Sequence, residues 1–124
     1  MPELSQPANP LPKYQAEVAA HPEDADVQSG LGWAYYGQRQ FAEAIKAFQE
    51  ALKLNGDHLE ATYGLGLAHK MAGSTGLAVQ MFETAAALAS RIEDHDRHKM
   101  LTRLIGGQLS ELQTGDWNLT EKKA

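Results

Sequence analysis

Between residues 24 and 90 the apolar side chains recur every three or four positions and do not alternate, which is the spacing of one face of a helix. With Leu31 as origin and about 100° per residue, Val27, Ala34, Tyr35 and Gln38 fall within about 60° of it. Ala61, Leu65, Ala68, His69 and Ala72 form a second stripe of the same kind. Two more run through Phe41, Ala44, Ile45, Phe48, Ala51 and Leu52, and through Ala78, Val79, Phe82, Ala85 and Ala86. "GQRQ" from Gly37 and "AGSTG" from Ala72 interrupt the pattern, and "LNGDH" from Leu54 supplies a glycine stop and an aspartate start. The pattern predicts four helices near 24–37, 41–54, 58–71 and 75–89, joined by short turns.

The stripes also repeat at a distance. "GLGWAYYGQRQFAEAIKAFQEAL" from Gly30 returns as "GLGLAHKMAGSTGLAVQMFETAA" from Gly64. Eight pairs are identical at that offset, among them Gly30/Gly64, Leu31/Leu65, Gly32/Gly66, Ala44/Ala78 and Phe48/Phe82. Chance supplies roughly two matches in such a window. A repeat of this length, about 34 residues, points to stacked helical hairpins. On the flanks, Pro12 to Ala20 reads as a short helix ended by His21-Pro22. Ser90-x-x-Glu93 reads as a capping box opening a final helix that runs to about Gln113, with a stripe of Ile92, Leu101, Leu104, Ile105, Leu109 and Leu112. Gly106-Gly107 inside it costs about 1 kcal/mol of propensity per glycine and suggests a kink or a close contact.

Three aromatics and their neighbours contradict a simple amphipathic reading. Trp33 lies about 200° from Leu31, with Ser29 and Tyr36 near 160° and 140°, so all three face away from the stripe, together with Asp26. Glu60, Tyr63, Leu67 and Lys70 occupy the same face in the second unit, with Met71 at its margin.

The spacing Leu31-Gly32-x2-Tyr35-x8-Ala44-x3-Phe48-x2-Ala51 resembles the tetratricopeptide repeat, and Leu65-Gly66-x2-His69-x8-Ala78-x3-Phe82-x2-Ala85 is similar to it. Gly32 and Ala44 remove bulk where paired helices touch, and Phe48 refills the volume. Gln28 and Thr62 stand where the family often has Trp, Gly56 and Ser90 replace its terminal proline, and His69 replaces Tyr. The resemblance implies an all-α, right-handed superhelical stack of helical hairpins with a C-terminal capping helix. It divides the chain into a flexible segment (1–9), a half-repeat cap (10–22), two repeats (24–57 and 58–91), the capping helix (91–113) and a tail (114–124), whose Trp117 and Leu119 are candidates to fold back on the last helix. It also implies that the outward face of each first helix lines a concave groove. The candidate groove is therefore Asp26, Ser29, Trp33, Tyr36, Glu60, Tyr63, Leu67, Lys70 and Met71, an apolar strip with a charged rim. Members that grip acidic chaperone tails hold a terminal carboxylate with Lys, Asn and Arg; Ser29, Trp33 and Gly64 stand at the matching positions here, so that clamp is missing.

Composition narrows the function. The 124 residues suffice for one compact domain. A net charge of -5 without a basic stripe argues against nucleic acid. The lack of cysteine excludes disulfides and thiol chemistry. No apolar run approaches a membrane span, and the expected setting is the cytoplasm. "EDHDRH", Glu93 to His98, has two histidines three apart but no third ligand, and reads as a solvated helix start. His69 is expected to satisfy one buried hydrogen bond, and His21 and His58 to be turn residues. Gly30-x-Gly32 and Gly64-x-Gly66 follow no strand and carry no nucleotide signature. The expectation is a non-enzymatic module, without cofactor or metal, that binds an apolar or mildly basic protein segment in the groove. The alternative is a structural subunit that stacks with itself through its repeat ends.

Overall fold

The computed structural model describes residues 9–114; the expected mobile ends and the fold-back of Trp117 and Leu119 lie outside the described residues. Six helices follow one another: α1 Leu11–Ala20, α2 Ala25–Gly37, α3 Phe41–Leu54, α4 Leu59–Met71, α5 Thr75–Ala89 and α6 His95–Thr114. The fold is all-α, with no strand among the described residues. Each helix packs on the next, so α2–α3 and α4–α5 are hairpins, with α1 and α6 against their ends.

Local chemistry places the boundaries. Asp24 caps α2, its carboxylate accepting from the Asp26 and Val27 amides at 2.9 and 3.4 Å. The two hairpin turns use one device at equivalent positions of the two repeats. Arg39 has φ 60° and Gly73 φ 89°, and the following amides, of Gln40 and Ser74, donate back to Tyr35 and His69 carbonyls at 2.9 and 2.8 Å. The left-handed position is thus Arg39 rather than Gly37, which ends α2 as a helical residue.

The final helix starts later than the capping-box reading expects. The Ser90 hydroxyl donates to the Ala87 carbonyl at 2.6 Å, so it closes α5 instead of opening α6. Asp94 takes the capping role, accepting from the Arg97 amide at 3.0 Å. The α6 stripe also differs. Ile105 is buried, with Leu101, Leu109 and Leu112 packed beside it, whereas Leu104 is 45% exposed. Adjacent helical residues stand about 100° apart, so Leu104 and Ile105 cannot both face α5.

The core is a chain of rings in glycine sockets. Phe48 of α3 and Phe82 of α5 are fully buried. A Cβ on Gly32 would stand 2.7 Å from the Phe48 ring, one on Gly66 2.7 Å from the Phe82 ring, and one on Gly64 would also overlap Phe48. Phe48 is therefore gripped from both sides, by α2 of its own hairpin and by α4 of the next. Tyr14 of α1 meets Gly30 in the same way. Small residues fill the remaining contact layer: Ala44, Ala51, Ala61, Ala68, Ala78 and Ala85 are fully buried.

His69 departs from the expected hydrogen-bonded state. It is the second-repeat counterpart of Tyr35, whose hydroxyl lies 3.3 Å from the Gln15 amide nitrogen. The His69 Nδ1 is buried without a hydrogen-bond partner. Desolvation holds its pKa below the ordinary histidine value.

Two measurements check this packing. Gly64→Ala should destabilise the fold by about 1–3 kcal/mol through overpacking against Phe48, despite a propensity gain of up to about 1 kcal/mol. Gly106→Ala, whose Cβ meets nothing within 4 Å, should stabilise it by about 0.5–1 kcal/mol; urea titrations of both variants decide. For His69 the neutral form is favoured in the fold, so stability is whole above the unfolded pKa of about 6.5 and is lost as pH falls below it towards the folded pKa. Relative to His69→Phe, the parent should lose stability as pH falls from about 7 through the ordinary histidine value of about 6.5, where the unfolded chain binds more protons at this position. A constant difference across that range would remove the assignment.

Candidate functional site

Helices α2, α4 and α6 occupy one layer, with α1, α3 and α5 behind them. Beyond sequential neighbours, α2 packs directly on α4, while neither α1 and α3 nor α3 and α5 make a comparable contact. Helices drawn together in one layer and splayed in the other bend a stack, and the close layer is its inner surface. The second gap on that surface, between α4 and α6, is wider and is spanned by long side chains. At its start Arg97 Nη2 donates to Glu60 Oε2 at 3.1 Å, and at its end Lys70 Nζ donates to Gln108 Oε1 and Glu111 Oε1 at 2.8 and 2.7 Å.

The apolar members of the candidate strip sit on this surface, anchored to the core rings. Trp33 is half-buried and edge-on to Phe48, with ring centroids 5.1 Å apart, and meets Tyr36 at 5.9 Å. Tyr36 in turn packs on Phe41 at 5.4 Å. Tyr63 lies 5.5 Å from Phe82, and Leu67 packs on the same cluster. Burial raises the Tyr63 pKa above the usual phenol value; its hydrogen bond to Gln108 opposes this and the Tyr36 phenol adds to it. Met71 is exposed at the end of α4. Ser29 is a correction: it is buried, at 3% exposure, in a helix packed by α1, α3 and α4, and presents nothing to a partner.

The charged rim is present but paired inside the protein. Asp26 Oδ1 is 2.6 Å from His58 Nε2, Glu60 holds Arg97, and Lys70 holds Glu111. Asp26 and Glu60 are equivalent positions of the two repeats, and each reaches the start of the following helix in the layer. His58 is more than a turn residue. It is buried, and its Nδ1 accepts from the Ala61 amide at 3.2 Å, which caps α4. That leaves the proton on Nε2, donated to Asp26. One ring thus caps a helix and ties α2 to α4. Its signal in the sequence was its place before Leu59, where a capping side chain belongs.

Two further residues were missed. Leu104 shares a helix column with Arg97 and Glu111, two turns to either side, and both of those reach α4. Leu104 therefore faces the trough, with Met100 one turn before it; they are 45% and 52% exposed. The two histidines of "EDHDRH" separate: His95 is exposed, whereas His98 turns inward, its Nδ1 3.0 Å from the Ala89 carbonyl at the end of α5. Among the described residues no group of three or more His, Cys, Asp or Glu is placed to hold a metal ion, and no helix is long and apolar enough to cross a membrane.

Comparison with known proteins agrees with this geometry. No curated protein sequence matches the chain. Among solved structures, the chain is similar to one described as PcrH in complex with the chaperone binding region of PopD. The TM-score is 0.74 at 20% identity, over 82% of this chain and 74% of the matched one, a likeness of fold. The profile of the tetratricopeptide repeat matches residues 11–45 and 30–91. Those segments take in both hairpins and α1, and the chain belongs to the tetratricopeptide repeat family.

Proposed function

We propose that the protein is a non-enzymatic interaction module whose inner surface, across α2, α4 and α6, receives a short apolar segment of a partner protein. One observation carries the reading: Trp33, Tyr36, Tyr63, Leu67, Met100 and Leu104, six large apolar side chains on the alternate helices α2, α4 and α6, stay partly open to solvent. Contiguous apolar surface of this kind is unfavourable in water and marks binding sites. Family membership supports an interaction role, and the fold is one in which PcrH is in complex with a region of PopD. Rings packed against Phe48 and Phe82 are preorganised, so little conformational entropy is lost on contact. Three helices present a short trough, and affinities on the order of micromolar follow from an interface near the lower size limit.

The anchoring of the aromatics governs the choice of variant. Trp33→Ala with Tyr63→Ala removes partner contacts and also two rings packed on the core, so lost binding would carry lost stability with it. Met71→Glu with Leu104→Glu changes only exposed positions. This pair should weaken partner capture by about tenfold or more with Tm and helical circular dichroism unchanged, since a charge is then desolvated at the contact. Capture that survives it, while Glu43→Lys on the back of α3 abolishes it, would move the site to the other face.

A further inference from the structure

We propose that the α6 wall of the trough sets the polarity of the partner, selecting an acidic amphipathic helix through Lys99 and Arg103 beside Met100, Leu104 and Gly107. This inference rests on the trough reading above and adds the chemistry of its occupant.

The first argument is what the rim has left to offer. Asp26 and Glu60 would favour a basic segment; Glu60 is paired with Arg97, while Asp26, bonded to a neutral His58, keeps its charge on the α2 side of the trough, away from α6. Lys70 is likewise held between Gln108 and Glu111. A charge already paired gains little from a second partner and must be desolvated to meet one. Lys99 and Arg103 differ. Both are exposed, and neither has an ion pair among the described residues. No acidic residue occurs between Arg97 and Ser110, in a chain of net charge -5. Of the nearby acidic groups, Glu60 and Glu111 are in ion pairs and Asp94 caps the helix, while Asp96 lines the same hollow as Lys99 and Arg103 and leaves it one positive charge in excess.

The second argument is register. Taking Ile105 as the direction of α5, Gly107, Met100 and Leu104 lie about 200°, 220° and 260° round the helix, and Lys99 and Arg103 about 120° and 160°. The apolar strip is therefore bounded on one edge by the bridges to α4 and on the other by two cations one helical turn apart. Gly107 leaves room for a side chain of the partner. A helix lying along this strip buries apolar positions at i, i+3, i+4 and i+7 and places carboxylates at i and i+4 against Lys99 and Arg103.

The test uses the whole chain and two fluorescent peptides of about 16 residues, long enough for four helical turns, acetylated and amidated, with the same leucine face. One carries glutamates and the other lysines along the edge of that face. The glutamate peptide should bind about tenfold more tightly at about 0.05 M salt, and the preference should shrink at about 0.5 M, where screening is short-ranged. Lys99→Glu with Arg103→Glu should invert the preference with helical circular dichroism unchanged. Equal binding of both peptides, lost in the Met71→Glu and Leu104→Glu variant, would keep the trough and overturn the polarity. A glutamate preference that persists in the charge-reversed variant would also overturn it. Binding of neither peptide overturns the proposal, while the capture experiment above judges the trough separately. A concentration-dependent dimer in sedimentation, abolished by the charge reversal, would give the face to a second copy and likewise end the proposal.

Discussion

The seating of an aromatic ring against two glycines is the contact on which the stack depends. Phe48 sets its ring atoms against both Gly32 and Gly64, so one side chain closes its own hairpin and joins it to the next. Burying such a ring contributes about 2–3 kcal/mol, but only while neither helix carries a Cβ at the contact. Tyr14, Phe48 and Phe82 follow one another at the repeat spacing, and their glycine sockets keep it too, Gly30 with Gly64 and Gly32 with Gly66. The cost is helix propensity, about 1 kcal/mol for each glycine, which tertiary packing offsets. That trade explains why α2 and α4 are helical despite two interior glycines each.

The same rings set the properties of the candidate site. Trp33 packs edge-on to Phe48, and Tyr63 packs on Phe82, so the inner surface is built directly on the core without an intervening layer. A partner segment would meet side chains whose rotamers are already chosen. The stability of the fold and the shape of the surface are coupled for that reason, and any large truncation in the strip acts on both.

Electrostatics adds direction. A repeated acid at the second residue of each inner helix, Asp26 then Glu60, is tied to the start of the following one, through His58 and then Arg97. These links hold neighbouring inner helices in parallel register, and the one between Glu60 and Arg97 takes its charge out of play for ligands. Partly exposed pairs of this kind add little stability, typically below about 1 kcal/mol each. What they change is which charges stay unpaired on this surface, Lys99 and Arg103 of α6 among them.

The periodicity by itself determined the helices, their pairing and the repeat, because a helical stripe and its echo at a fixed spacing are properties of the chain alone. It also set which face of each first helix turned away from the core, and so the apolar strip of Trp33, Tyr36, Tyr63 and Leu67. Tertiary structure decided the rest. Ser29 was legible as outward-facing, but its burial depends on the helices that pack on α2 after folding. Leu104 was legible as apolar, but its direction depends on Ile105 taking the α5 contact. His58 stood in the sequence as a turn residue; only the approach of α2 to α4 gives its second nitrogen a carboxylate. The rim charges were plain to read, but whether a charge is free for a partner depends on what stands across the gap, and residues 32 to 41 positions apart in sequence meet there only after folding.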